Sequence, residues 1–190
     1  MRHDKKFQYN MSDRKIILNV DQLKLTITRL SSEIIENHIE LIDKCAIIGM
    51  QPRGVQLSQQ IHTMLEYETG YSVKYGLLDS TFFRDDFRRR EDVIIPNKTN
   101  IEFSLEGLNV ILIDDVLFTG RSVRSSLDAL VSFGRPNSVE LLVLIDRRFS
   151  RELPIQPKYI GKSIDVIENE HVVVNLDGNN SSVILLNEKS

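Results

Sequence analysis

Residues 110–122 read VILIDDVLFTGRS, and this stretch decides the fold. The apolar run 110–113 is short, branched and bounded by polar residues, as expected of a strand buried on both faces. Asp114 and Asp115 follow where such a strand ends, and burying either carboxylate is costly unless donors or a cation meet it. Ribose hydroxyls are suitable donors, and Mg²⁺ accepts carboxylate and diphosphate oxygens together. Val116, Leu117 and Phe118 then lead into Thr119, Gly120, Arg121 and Ser122, a turn opening a helix whose N-terminal N–H groups and dipole favour a phosphate. Either half alone also reads as an Asp-capped strand end or an ordinary helix start. Together they predict a sugar site beside a phosphate site.

The flanking sequence repeats the strand–turn–helix unit. Upstream, residues 45–48 form a short apolar strand, Gln51, Pro52, Arg53 and Gly54 a turn, and Val55, Ile61, Met64 and Leu65 a helical stripe. A further amphipathic helix carries Leu23, Ile27, Leu30, Ile34 and Ile35, with Asp21 as its expected N-cap. Val73, Tyr75 and Leu77 alternate as a strand, before a long polar excursion over 79–106 that has the length of a functional lid. Downstream, Val123, Leu127, Leu130 and Val131 mark a helix face ended by Gly134 and Pro136, and residues 139–145 another strand. An irregular stretch over 146–171 precedes two strands, 172–176 and 183–186, joined by the turn-forming DGNN. This alternation predicts an α/β fold, a mainly parallel sheet with helices on both faces, in one domain spanning 1–190. Residues 1–15 read as a tail and 146–190 as a hood with a C-terminal hairpin. In such sheets ligands bind at the carboxyl ends of the strands, so loops 49–54, 79–106, 114–122 and 146–171 should share one edge.

Composition narrows the function classes. With 41% hydrophobic and 27% charged residues, and no apolar run near the roughly 20 residues of a membrane span, the chain reads as a globular protein. A net charge of −3 argues against a surface that is basic throughout, as a general nucleic-acid binder would have. The N-terminus lacks the apolar core of a secretory signal and Cys45 is the one cysteine, which together suggest the cytoplasm. Cys45 opens an apolar run and reads as a buried small residue. No Cys/His cluster has metal-ligand spacing, so a metal should arrive with the substrate.

VILIDDVLFTGRS resembles the phosphoribosyl-diphosphate signature of type I phosphoribosyltransferases. The continuation VRSSLDALVSFGRP and the later RRFSRELPIQPKYIGKS are similar to the PyrR family, which combines uracil phosphoribosyltransferase activity with RNA-linked regulation of pyrimidine operons. The resemblance implies a type I phosphoribosyltransferase fold and transfer of phosphoribosyl from 5-phosphoribosyl 1-diphosphate to uracil, giving UMP and diphosphate, with Mg²⁺ carried by the donor. It assigns Asp114 and Asp115 to the ribose and the metal, residues 119–122 to the 5-phosphate, and Pro52, Arg53 and Gly54 to the diphosphate. Arg53 would pair with the leaving group. Arg84, in the stretch LLDSTFFRDDF, would belong to a lid, while Arg88, Arg89 and Arg90 read as a solvated charge run.

Purine enzymes of this type carry an acid at the position of Phe118, so the aromatic side chain points to a pyrimidine; nothing marks a cation for the carboxylate of orotate. By the same resemblance Arg147 and Val172 would border the uracil. Thr28, Arg29, Arg151 and Lys162 match positions of the group's RNA-binding face, whereas Ser32 and Gln156 stand where a histidine and an arginine are expected. DRRFSREL departs from the group's DRGHREL by an insertion and by loss of the Gly and His. The readings carried forward are a uracil phosphoribosyltransferase with an RNA-linked regulatory role, a hypoxanthine or guanine phosphoribosyltransferase, and a nucleotide sensor without catalysis. Homo-oligomers are usual in the group.

Overall fold

A computed structural model describes residues 14–83, 98–166 and 170–187. Five parallel strands form the main sheet: β2 (Cys45–Met50), β3 (Lys74–Leu78), β4 (Asn109–Leu117), β5 (Ser138–Arg148) and β6 (Tyr159–Asp165), in the order β3-β2-β4-β5-β6. A second, antiparallel sheet has β1 (Arg14–Leu18), β8 (Ser182–Asn187) and β7 (Glu170–Asn175), in the order β1-β8-β7. Helices α1 (Val20–His38) and α2 (Gly54–Thr69) cover one face of the main sheet, and α3 (Arg121–Leu130) the other.

Strand alternation sorts the core into two. Ile47, Ile111 and Ile113 pack with Leu30, Ile34, Leu57 and Ile61 of α1 and α2. Ala46, Ile48, Val110 and Leu112 face the opposite way, onto Val123, Ala129 and Leu130 of α3. Full burial of each large aliphatic side chain contributes about 1.5–3 kcal/mol, so β2 and β4, buried on both sides, anchor the molecule.

Several sequence expectations change. Asn19, not Asp21, caps α1: its side chain accepts from the Gln22 N–H at 2.9 Å while Gln22 Oε1 accepts from the Asn19 N–H at 3.0 Å, a reciprocal capping box. Leu127 and Val131 are exposed on α3, and Ser126 and Ala129 complete its buried face instead. The stretch 146–171 contains β6, which the sequence reading passed over. Arg14 and Lys15, grouped with the tail, belong to β1. Asp114 and Asp115 lie within β4, which runs on to Leu117.

Candidate active site

The carboxyl ends of β2, β3, β4 and β5 and strand β7 enclose a cleft of about 430 Å³. Its walls bring together Pro52, Arg53, Asp114, Asp115, Val116, Phe118, Ser122, Arg147 and Val172, nine residues expected from the sequence. Met50, Gln51, Ser80, Thr81 and His171 also line it; Ser80 and Thr81 belong to the stretch LLDSTFFRDDF read as a lid, and no motif marked His171. A larger cavity of about 710 Å³ lies between α1 and α2, but it has neither an acid pair nor a phosphate turn. The chemistry lies in the smaller one.

Asp115 is buried and Asp114 half-buried. The Asp115 N–H donates to Asp114 Oδ1 at 2.9 Å, and the Val116 N–H to Asp115 Oδ1 at 2.7 Å, which fixes both carboxylates at the strand end. Burial, and then the charge of Asp115, raise the Asp114 pKa well above the ordinary carboxylate range. Burial also raises that of Asp115, against the lowering field of Arg53. The pair therefore favours a bound cation or hydroxyl donors. Among the described residues no group of three or more His, Cys, Asp or Glu is placed to hold a metal, so an ion there would complete its shell with other oxygens.

Arg53 stands immediately before α2, after a cis Gln51–Pro52 peptide. Gly54 is buried: a Cβ on it would lie 2.3 Å from the Ile113 carbonyl oxygen. Its place in the motif thus reflects close packing of α2 on β4, which brings Arg53 to the acid pair.

Residues 114 and 116–123 line an adjoining recess of about 320 Å³ at the N-terminus of α3. Gly120 caps the helix with φ +91°, and a Cβ there would meet Ile155 Cδ1 at 3.2 Å. Gly120 has no side chain to cap this end, and the Arg121 N–H donates to the Thr119 hydroxyl at 3.3 Å, so the turn gathers N–H and hydroxyl donors at the helix start, as an anion site requires. The Leu117 side chain is buried in the core, which leaves only its backbone for the recess. Arg121 directs its guanidinium outward, donating to Glu152 at 2.6 Å.

On the other side of the acid pair, Arg147 lays its guanidinium over the Phe118 ring, 4.1 Å from the centroid. Arg147 is only 7% exposed, burial lowers its pKa, and its Nε–H has no hydrogen-bond partner. Val172 is buried on the facing strand of the hood. The stacked pair forms a flat, partly apolar wall of the cleft that carries an unmatched donor.

Comparison with known proteins agrees with this geometry. The family model described as phosphoribosyl transferase domain matches residues 13–178. The "Bifunctional protein PyrR" of Lactococcus lactis subsp. cremoris is 42% identical over 174 residues, covering 90% of this chain and 96% of the relative. The chain belongs to the PyrR family. A second PyrR relative, from a Picosynechococcus species, is 43% identical over 165 residues, covering 85% of this chain and 92% of its own. The solved hypoxanthine phosphoribosyltransferase of Staphylococcus aureus superposes with a TM-score of 0.68 at 18% identity, covering 93% of this chain and 94% of that one, a likeness of fold alone.

The four positions matched to the PyrR RNA-binding face lie on α1, on β6 and in the loop after β5. Thr28 is exposed beside the α1/α2 groove. Arg29 pairs with Glu33 at 2.5 Å and donates to the Ile160 and Gly161 carbonyls, at 2.9 and 2.8 Å, so it covers β6. Lys162 donates to the Ile17 carbonyl at 3.2 Å. Arg151 is turned inward, onto Asp146 and the Phe118 carbonyl. The expected lid residue Arg84, with Arg88, Arg89 and Arg90, lies outside the described residues.

Proposed function

We propose that this phosphoribosyltransferase transfers phosphoribosyl from 5-phosphoribosyl 1-diphosphate to uracil. The observation that carries the choice of base is the buried Arg147 Nε–H beside the Phe118 face. Arginine has only donors, so the base must present an acceptor there. The O2 and O4 carbonyls of uracil are acceptors, whereas the 4-amino group of cytosine would oppose donor to donor. Phe118 leaves no acid to meet a purine ring nitrogen.

In this reading Asp114 and Asp115 bind the ribose hydroxyls and stabilise the positive charge that grows on the sugar as the glycosidic bond to diphosphate breaks. Arg53 neutralises the departing diphosphate, and the turn 119–122 holds the 5-phosphate through helix N–H groups. Asp114 and Asp115 would hold a Mg²⁺ that arrives with the donor, and the ion would supply charge neutralisation of the leaving group. The residues otherwise position and polarise, and no protein nucleophile is required. A panel of uracil, cytosine, orotate, hypoxanthine and guanine, assayed with phosphoribosyl diphosphate and Mg²⁺, tests the reading. Diphosphate release with uracil supports it, and release only with a purine overturns it.

A regulatory role on RNA is a second reading, supported by the name "Pyrimidine operon regulatory protein" carried by a Lactococcus lactis relative. Here it would draw on Thr28, Arg29 and Lys162. Salt-sensitive, UMP-enhanced binding to a pyrimidine-gene leader RNA is its expected signature, and indifference to RNA at low salt removes it.

A further inference from the structure

After β5 the chain turns at Phe149, whose φ is +67°, and comes back against the turn that follows β4. The first side chain on the return is Arg151. Its guanidinium donates one hydrogen bond to the carbonyl of Phe118, on the turn after β4, and another to the carboxylate of Asp146, at the end of β5. Arg151 is only 23% exposed and Asp146 13%. One planar cation thus joins the two segments whose side chains stack to form one wall of the base site, because Phe118 and Arg147 are the ring and guanidinium of the stack and Asp146 directly precedes Arg147. Leu117 and Asp146 are themselves paired in register across β4 and β5, so Arg151 extends the sheet's alignment by one step beyond its last backbone pair in β4.

The next two residues act on different ground. The N–H groups of Glu152 and Leu153 donate to the Thr119 carbonyl at 3.0 and 3.2 Å, and the Glu152 carboxylate accepts from Arg121. Those contacts fasten the phosphate turn, and the Glu152–Arg121 pair is half-exposed, so its side chains contribute little. Base side and phosphate side are therefore held by separate, adjacent residues of one loop.

We propose that Arg151 is a positioning residue of the base site, bridging Phe118 and Asp146 so that the stacked Arg147–Phe118 pair keeps its place as one wall of that site. This rests on the reading of the cleft as a base-accepting phosphoribosyl site. It withdraws Arg151 from the RNA-binding face on which the family resemblance places it. A bidentate, planar donor is needed, because a lysine ammonium is a point charge that holds one partner well and not two in fixed register.

The test compares R151Q, R151K and E152Q with the wild-type chain. R151Q is expected to raise the KM for uracil about tenfold, the size expected for loss of one charge-assisted contact, while the KM for phosphoribosyl diphosphate moves less than about twofold. R151K keeps a charge beside Asp146 and is expected to fall between; it decides the matter if R151Q does not fold. E152Q, at a residue that holds the phosphate turn, is expected to leave the KM for uracil within about twofold, any change falling on that for phosphoribosyl diphosphate. Equal changes in both KM values for R151Q and R151K, or no change in either with loss confined to RNA binding, overturns the inference. Calorimetric titration of wild type and R151K with UMP and IMP separates this from the choice of base. A wild type that binds IMP and not UMP overturns the uracil reading alone, and the Arg151 inference then stands or falls on whether R151K weakens IMP.

Discussion

At the scale of single residues, the acid pair is the most telling feature. Asp114 and Asp115 are costly to the empty fold because burial and mutual repulsion both oppose ionisation. Each folded pKa is raised above its unfolded value, so the folded state binds more protons, and stability falls as pH rises from the ordinary carboxylate range through the raised values. Asp114→Asn should therefore raise the melting temperature near pH 7 while reducing kcat by at least about a hundredfold, the loss typical of removing one charge-stabilising group. Thermal melts at pH 5 and 8 check the sign: the gain should be larger at pH 8. An unchanged or lowered melting temperature at both values would contradict the account. The carboxylates were legible in the sequence because two acids after an apolar run break the pattern of a buried strand. The unmatched Nε–H of Arg147 was not, since it depends on a ring 29 residues away, and His171 sits in no pattern that names it.

Among the elements, α2 and α1 show how the sheet places chemistry. Gly54 lets the N-terminus of α2 approach β4 so closely that a methyl group would strike the Ile113 carbonyl. Gly54→Ala should cost about 1–3 kcal/mol of stability, as overpacking does, and should raise the KM for phosphoribosyl diphosphate by moving Arg53; denaturant titration and steady-state kinetics measure the two effects. At the C-terminal end of α1, Glu140 of β5 accepts from Lys158 at 2.7 Å and the Tyr159 hydroxyl at 2.8 Å, with His38 Nε2 at 2.9 Å. Burial works to raise the Glu140 pKa, but those hydrogen bonds outweigh it and the net shift is downward. A lowered carboxylate contributes stability that is complete above the unfolded pKa and is lost as pH falls through the folded one. Glu140→Gln should accordingly melt lower than wild type at pH 7, and the gap should close as the pH approaches 3. A gap that widens on acidification would refute the sign. The helices were readable from their periodicity. Their caps and faces were less so: Asn19 and Asp21 are both good caps, and Leu127 and Val131 fit a helical stripe that tertiary packing leaves exposed.

For the molecule as a whole, the cleft exists because two sheets meet: five parallel strands present their carboxyl ends, and the antiparallel sheet closes over them. The parallel sheet was legible from alternating apolar runs and turns. The hood was legible only at its C-terminal hairpin, because β1 lies 164 residues before its partner β8, counted from Leu18 to Ser182; in the parallel sheet β6 was missed because it reads as YIGKSID, nearly half of it polar. Long-range pairing, not local preference, makes these segments strands. The central claim is that this cleft selects a pyrimidine with acceptor carbonyls, and one competition measures it most directly. Uracil, cytosine and hypoxanthine at equal concentration compete for limiting phosphoribosyl diphosphate with Mg²⁺, and the nucleotide products are separated and counted, which reads the ratio of kcat/KM values. UMP should exceed CMP by about a hundredfold or more, the discrimination expected when a site's buried donor is left unmatched by the wrong base, and should exceed IMP because Phe118 leaves no acid to meet a purine nitrogen; a product mixture dominated by IMP, or one with CMP equal to UMP, would contradict it.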